Sequence, residues 1–353
     1  RYDVSLLRSR SFNSVFCAVI NADAYGQGAV RVGEAAIEAG ADWLAVALMQ
    51  EAKELREAGL TAPILVLSQP HPNEIKELKN LEGVRPTVYT SEGIEEVASI
   101  APKIPVHLKI ETGMNRVGAS EKNSVLLANQ ITNSGLILEG VFTHFASADE
   151  PESSFPVEQS VLFDQVIKEL DDNGYQPTII HMANSAAAIN FPASHRSMVR
   201  PGIAIYGAEP SVDLRDRCDQ IGLKPTAQFE TEVRHIHEIK SGETVSYGRR
   251  WTAPHDTLLA TLPVGYGDGM PRSWWEKGCV IINGQRCPIR GVITMDQLMV
   301  EVGAKVAVGD KAILFGEQDG EVITAGEIAQ ATETISYEIL ASVGKRVPRI
   351  YEN

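Results

Sequence analysis

The feature that most constrains this chain is an alternation, over its first two thirds, of short apolar β-prone runs with helix-compatible stretches. The runs lie at 14–22 (SVFCAVINA), 43–47, 63–69, 85–90, 105–112, 138–146, 178–184 and 199–207 (VRPGIAIYG). Between them, 30–40, 48–59 and 161–174 have helical patterning, and each closes on a glycine (Gly40, Gly59, Gly174), the usual left-handed cap. Eight strands, each but the last followed by a helix-compatible stretch, predict an α/β fold, a (β/α)8 TIM barrel of ~200 residues. A doubly wound open sheet is the competing architecture. It would carry a glycine-rich fingerprint after its first strand, and Gly26-Gln27-Gly28 is a poor match.

From about residue 220 the texture changes to long strand-like runs, with helical patterning only at 324–333 and 336–344. A mostly β second domain follows, and we expect the barrel in 1–215 and the β-rich domain in 216–353. The length of 353 residues suits two domains. The formal charge of −14 argues against a nucleic-acid partner, which needs clustered cations. No apolar stretch approaches the ~18 residues of a membrane span, and no secretory signal is visible, so a cytoplasmic setting is expected. Cys17, Cys218, Cys279 and Cys287 show no metal-ligand spacing, and no metal is expected. Cys279 and Cys287 flank an Asn283-Gly284 turn, whose register sets Cys279 opposite Pro288, so no disulfide is expected there.

In a barrel, chemistry sits where strands end. Strand one ends in Asn21-Ala22-Asp23-Ala24-Tyr25, strand five in Lys109 followed by a loop carrying Arg116, strand six in His144, and strand seven in Asn184-Ser185. Strand eight holds Arg200 and Gly202. Buried strands tolerate few charges, which makes Lys109, His144 and Arg200 unusual. Barrel phosphate sites form from the loops after strands seven and eight, where backbone amides converge. Here those loops offer a Ser185 hydroxyl and a close backbone approach at Gly202, with Tyr25 as a further phenol donor. The plainer reading is that Asn184 and Ser185 only cap the next helix.

AVINADAYGQG (18–28), KIETGMNRVG (109–118), THFASAD (143–149), HMANSAA (181–187) and VRPGIAIYG (199–207) resemble segments of the alanine racemase family. VSYGRRWTA (245–253), LPVGYGDG (262–269), TMDQLMVEVG (294–303) and KRVPRIY (345–351) extend the resemblance through the second domain. It implies a pyridoxal 5'-phosphate enzyme that interconverts L- and D-alanine for cell-wall precursors and works as a head-to-tail homodimer with shared sites. By the same resemblance Tyr25, Ser185, Gly202, Ile203 and Tyr351 hold the phosphate with Asn184 beside them, and Arg200 faces the pyridine nitrogen. Arg116 holds the cofactor oxygen or the substrate carboxylate, and Met295 touches substrate from the other subunit. His144 links Arg200 to Tyr247, the base on the L-face. Lys109 is the position often carbamylated, and Tyr266 and Asp296 support the mouth.

One position departs. Where the family carries the lysine that binds the cofactor as a Schiff base, this chain has Asn21, and Gln27 replaces the usual histidine. No lysine lies anywhere in residues 1–52. A carboxamide nitrogen is delocalised and not basic, so it forms no imine and returns no proton. Severe loss of activity is expected. Three origins stay open: a substitution in an ordinary racemase, a non-catalytic relative that keeps the cofactor pocket, or a modified lysine standing in the sequence as Asn. Racemisation of another amino acid such as serine is also open. A basic-amino-acid decarboxylase of the same barrel class is disfavoured because VRPGIAIYG stands where its glycine-rich phosphate motif would be.

Overall fold

The structure, a computed structural model, describes residues 1–352. It divides into two compact units. The first comprises 1–24, 28–205 and 213–223, and the second 25–27, 206–212 and the described residues from 224 onward. The units therefore interleave along the chain instead of meeting at one cut.

In the first unit eight parallel strands close a barrel in sequence order: β1 Val15–Val19, β2 Trp43–Val46, β3 Ile64–Val66, β4 Val84–Val88, β5 Pro105–Lys109, β6 Ile137–Phe142, β7 Ile179–His181 and β8 Met198–Val199. Closure is made by β8, whose Met198 pairs with Val15. Cys17, Val19, Trp43, Ala45, Leu65 and Met198 form a buried cluster. Their apolar side chains leave water together, the dominant favourable term in such a core. The helices expected at 30–40 and 48–59 are Ala29–Glu38 and Met49–Glu57, and that at 161–174 is the end of a longer helix, Phe155–Asp172. Gly40, Gly59 and Gly174 all take positive φ, as helix-ending glycines should.

Two expectations are corrected. The run 199–207 is not a strand. After two residues of β8 the chain meets Pro201, which has no N–H to donate, and 203–206 turn as a short 3-10 helix. Strands one and six also end sooner than expected, at Val19 and Phe142. Asn21 and His144 therefore lie beyond their strands, in the connections where polar side chains escape burial.

The second unit is mostly β. His235–Ile239, Thr257–Leu262 and Leu298–Glu301 form one antiparallel sheet. Gln285–Pro288, Cys279–Ile282, Lys311–Gln318 and Glu321–Ile323 form another, with Phe229–Glu232 added on Lys311–Gln318. Asn283 and Gly284 turn the hairpin with φ of 51° and 70°, and Cys279 stands opposite Pro288. All four cysteines are free thiols.

Candidate active site

The carboxyl-terminal mouth of the barrel begins with a backbone that few sequences adopt. Ala22, Asp23, Ala24 and Tyr25 all have φ of 53–54°, a left-handed turn built without glycine. Such a conformation costs roughly 1–2 kcal/mol per residue, so surrounding bonds must hold it. Glu51 does so within the first unit: Oε1 accepts the Ala22 amide at 2.5 Å, while Oε2 accepts those of Ala47 and Leu48 at 2.8 and 3.0 Å. Asp23 Oδ1 accepts the Ala29 amide at 2.8 Å. Asn21, partly buried, opens this turn.

Across the mouth, Arg200 follows β8 and is buried, with 2% of its surface exposed. Its Nη1 lies 2.5 Å from His181 Nδ1, and its Nη2 donates to the Thr143 carbonyl at 2.9 Å and lies 3.3 Å from His144 Nδ1. Arginine has only donors, so both facing imidazole nitrogens are acceptors. Burial pulls Arg200 down to about 10, which leaves it cationic at neutral pH. Burial, then the charges of Arg200, Lys109 and Arg116, push His144 well below its ordinary value, so its imidazole is neutral. Lys109, at the end of β5, is buried with Nζ 5.7 Å from the Phe142 ring centre. Burial, Arg116 and Arg200 together bring it down to about 8. Arg116 is exposed, in a loop gathered onto Glu111. Burial raises that carboxyl, but backbone amides of 113–116 outweigh it and hold it below its usual range.

Ser185 is buried, and its Oγ accepts the amides of Gly202 at 2.8 Å and Ala204 at 3.3 Å. Both bonds use the oxygen, which leaves the hydroxyl hydrogen to donate outward. Asn184 Oδ1 accepts the Ala187 amide at 3.0 Å, so Asn184 does cap the helix Ser185–Asn190. Ile203 is fully buried at the start of the adjoining turn.

The remaining candidates belong to the second unit. Tyr25 packs its ring on Tyr206 and Tyr337, centroids 4.7 and 5.9 Å apart, and burial raises its phenol to about 12. The Tyr351 hydroxyl donates to the Gln27 carbonyl at 3.1 Å. Tyr247 is 73% exposed, and Met295 and Tyr266 are exposed as well. The backbones of Tyr266 and Met295 are tied, since the amides of Tyr266 and Gly267 donate to the carbonyls of Thr294 and Met295 at 3.0 and 2.9 Å. Arg346 braces this corner through Asp268 at 2.7 Å and Asp296 at 2.9 Å.

The family profile described as alanine racemase, N-terminal domain, matches residues 1–210, and that of the alanine racemase C-terminal domain matches 226–351. The chain is 40% identical over 348 residues to an alanine racemase of Halothermothrix orenii, covering 97% of this chain and 91% of the relative. The chain belongs to the alanine racemase family. Among solved structures, the alanine racemase from D-cycloserine-producing Streptomyces lavendulae superposes with a TM-score of 0.94 at 33% identity, covering 99% of this chain and 94% of that one. That from Bacillus anthracis, solved with bound L-Ala-P, gives 0.90 at 36% identity, covering 100% and 92%. The relatives carry the name of an amino-acid racemase enzyme.

For an alanine racemase, the donor set at this mouth fits pyridoxal phosphate at two ends and fails at a third. The Ser185 hydroxyl, whose oxygen takes the Gly202 and Ala204 amides and whose hydrogen is left to donate, suits a phosphate, and a buried cation with donors only suits a ring nitrogen. Asn21 offers no amine to an aldehyde. The first unit brings together Arg200, His144 and Lys109. It does not hold Tyr25, Tyr351, Tyr247, Met295, Tyr266 or Asp296. Sequence reasoning passed over His181 and Glu51. His181 was legible by the same anomaly that marks Lys109, a titratable residue in an apolar strand. Glu51 had no such signal, because a glutamate early in a helix is ordinary.

Proposed function

We propose that this racemase-family chain binds pyridoxal 5'-phosphate at the barrel mouth and is built to interconvert L- and D-alanine, with its output severely reduced by Asn21. The observation that carries this reading is the buried Arg200, held as a pure donor by His181, His144 and the Thr143 carbonyl, two residues from the amide that meets Ser185. When bound, the cofactor supplies an electron sink for the charge left at the substrate α-carbon.

The chain's own residues do the rest. Ser185 and the backbone of Gly202 and Ile203 hold the phosphate beside Asn184, and by family resemblance Tyr25 and Tyr351 add phenol donors. Arg200 donates to the ring nitrogen without giving up its proton. Arg116 takes the cofactor oxygen or the substrate carboxylate, steadied by Lys109 in carbamylated form, since the free ammonium repels it. Tyr247 and Met295 come from a second copy of the chain, Tyr247 as the base on one face of the α-carbon and Met295 through its backbone. His144 joins Arg200 to Tyr247. Tyr266, Tyr351 and Asp296 shape the entrance and favour a small side chain. We place the protein in the cytoplasm as a homodimer. No helix among the described residues is long and apolar enough to cross a membrane.

Racemisation needs an acid/base group on each face, and position 21 should supply the second. Losing such a group costs ~10²–10⁴-fold in rate, and losing the covalent anchor as well costs more. The experiment measures racemisation and cofactor retention together, for this chain and for Asn21→Lys. We expect Asn21→Lys to be at least ~10²-fold faster and to hold the cofactor through dialysis. Borohydride should attach the cofactor covalently to Asn21→Lys and not to this chain. Equal rates, or attachment at residue 21 of the unaltered chain, overturn the reading. Asn21 also favours a second reading, a cofactor-binding protein without catalysis, and an Asn21→Lys protein that retains cofactor but stays inactive would establish it. Among amino acids, faster turnover of serine, lysine or arginine than of alanine by the restored enzyme would displace alanine as substrate.

A further inference from the structure

The barrel interior carries a polar path below the mouth that the proposed chemistry does not use. Arg200 is a buried cation, and among the described residues no carboxylate pairs with it. Its closest partner is His181 Nδ1 at 2.5 Å. His181 Nε2 lies 2.8 Å from His107 Nδ1. His107 Nε2 in turn lies 3.4 Å from Glu139 Oε2, in poor alignment for a hydrogen bond. Glu139 is bound from the other side by Arg85, with Nε to Oε2 at 2.9 Å and Nη2 to Oε1 at 3.4 Å. His181 and His107 are both fully buried. The path descends from the end of β8 through the end of β7 and the middle of β5 to the earlier parts of β6 and β4.

Only one arrangement of protons satisfies it. Arginine cannot accept, so His181 Nδ1 must, and a neutral His181 then carries its proton on Nε2. That proton points at His107 Nδ1, which therefore accepts, and the His107 proton sits on Nε2, facing the carboxylate. A charged His181 would set N–H against N–H at Arg200, and a charged His107 would do the same at His181. The packing agrees. The Phe142 ring stacks on His181 at 4.6 Å with 9° between planes, and Trp43 lies 5.8 Å from His107. A Cβ on Gly140 would fall 2.4 Å from His107 Nδ1, so the ring occupies space that exists only because β6 has a glycine there. Burial first, then Arg200 and His107, holds His181 well below its ordinary value. Burial also holds His107 low, outweighing Glu139, with Arg85 and then Arg200 adding smaller pushes in the same direction.

We propose that His107 and Glu139 are positioning residues that act on Arg200 through His181, the carboxylate facing the far end of a spine whose direction Arg200 sets and which keeps Arg200 a fixed donor. The link to catalysis rests on Arg200 facing the cofactor nitrogen, as proposed above, but the spine itself is testable without cofactor.

The test has two arms. In the cofactor-free protein labelled with 15N-histidine and 15N-arginine, NMR from pH 5 to 9 reads the imidazole tautomers and the hydrogen exchange of the Arg200 guanidinium. Comparison with variants assigns the signals. We expect that neither His181 nor His107 titrates and that each carries its proton on Nε2. Titration of either, or a proton on Nδ1 of His181, overturns the spine using the unaltered chain alone. His107→Leu removes the acceptor of His181 and should speed Arg200 exchange about tenfold, as loss of one buried hydrogen bond would, and Glu139→Leu removes the carboxylate facing His107 and should speed it by less. His107→Gln, which can still accept from His181, should stay close to the parent. Unchanged exchange in both leucine variants, or equal acceleration by His107→Gln, reduces the spine to packing and overturns the proposal. In the second arm, pyridoxal phosphate is added to the Asn21→Lys protein, and the leucine variants should shift its absorbance maximum while His107→Gln restores it. An unshifted band with altered Arg200 exchange overturns the link to the cofactor nitrogen and leaves the spine. Absence of cofactor binding by Asn21→Lys overturns the function proposed above, and the first arm still decides the spine.

Discussion

Lys109 shows how a single residue at this mouth departs from its ordinary chemistry. Its folded value of about 8 lies below the ordinary lysine value. Between those values the unfolded chain holds a proton that the folded chain has released, so stability rises with pH through that window and is lowest, and flat, below it. Lys109→Met removes the burden. In carbon-dioxide-free buffer, urea unfolding at pH 7 should show the variant more stable by up to about 3 kcal/mol, the gain fading towards pH 10. A variant less stable at pH 7 than its parent sinks this account. Lys109, His144 and Arg200 were legible because titratable groups are rare in buried strands and at their ends. Glu139 was not, since a carboxylate beside a glycine in an apolar run reads as a solvated face until Arg85 and His107 are seen to meet it.

At the scale of elements, the eight-fold alternation was read correctly because helical and strand periodicities differ in every βα unit. The strand ends were not, because hydrophobicity outlasts pairing, as the run after Val199 shows. The left-handed turn after β1 was invisible for a different reason. Ala22, Asp23 and Ala24 have no glycine to announce positive φ, and the conformation is imposed from residue 51, far along the chain. Glu51→Ala strips acceptors from three amides and should cost about 1–3 kcal/mol. Hydrogen exchange at Ala22, Ala47 and Leu48 should accelerate before exchange in β1 does. Simultaneous acceleration across the strand would mean that Glu51 supports the barrel as a whole and not the turn.

For the whole molecule, the second unit presents Tyr247, Met295 and Tyr266 to solvent, all three named for the site by family resemblance. If a second copy covers them, Met295→Asp should weaken the homodimer by placing a charge in an apolar contact. Sedimentation should then show monomer at concentrations where the parent remains dimeric, and an unchanged dimer would remove Met295 from the interface. Each copy carries a charge of −14, so association should tighten as salt rises from low ionic strength to 0.15 M. The interleaving of the units has a consequence for how the protein is made. Tyr25, Gly26 and Gln27 leave the ribosome early, yet their unit otherwise begins at residue 206. At ordinary elongation rates that is a wait of roughly 9–36 s, during which Tyr25 has neither Tyr206 nor Tyr337 to pack against. Tyr25, Gly26 and Gln27 therefore join their own unit among the last, although they are among the first residues to be synthesised.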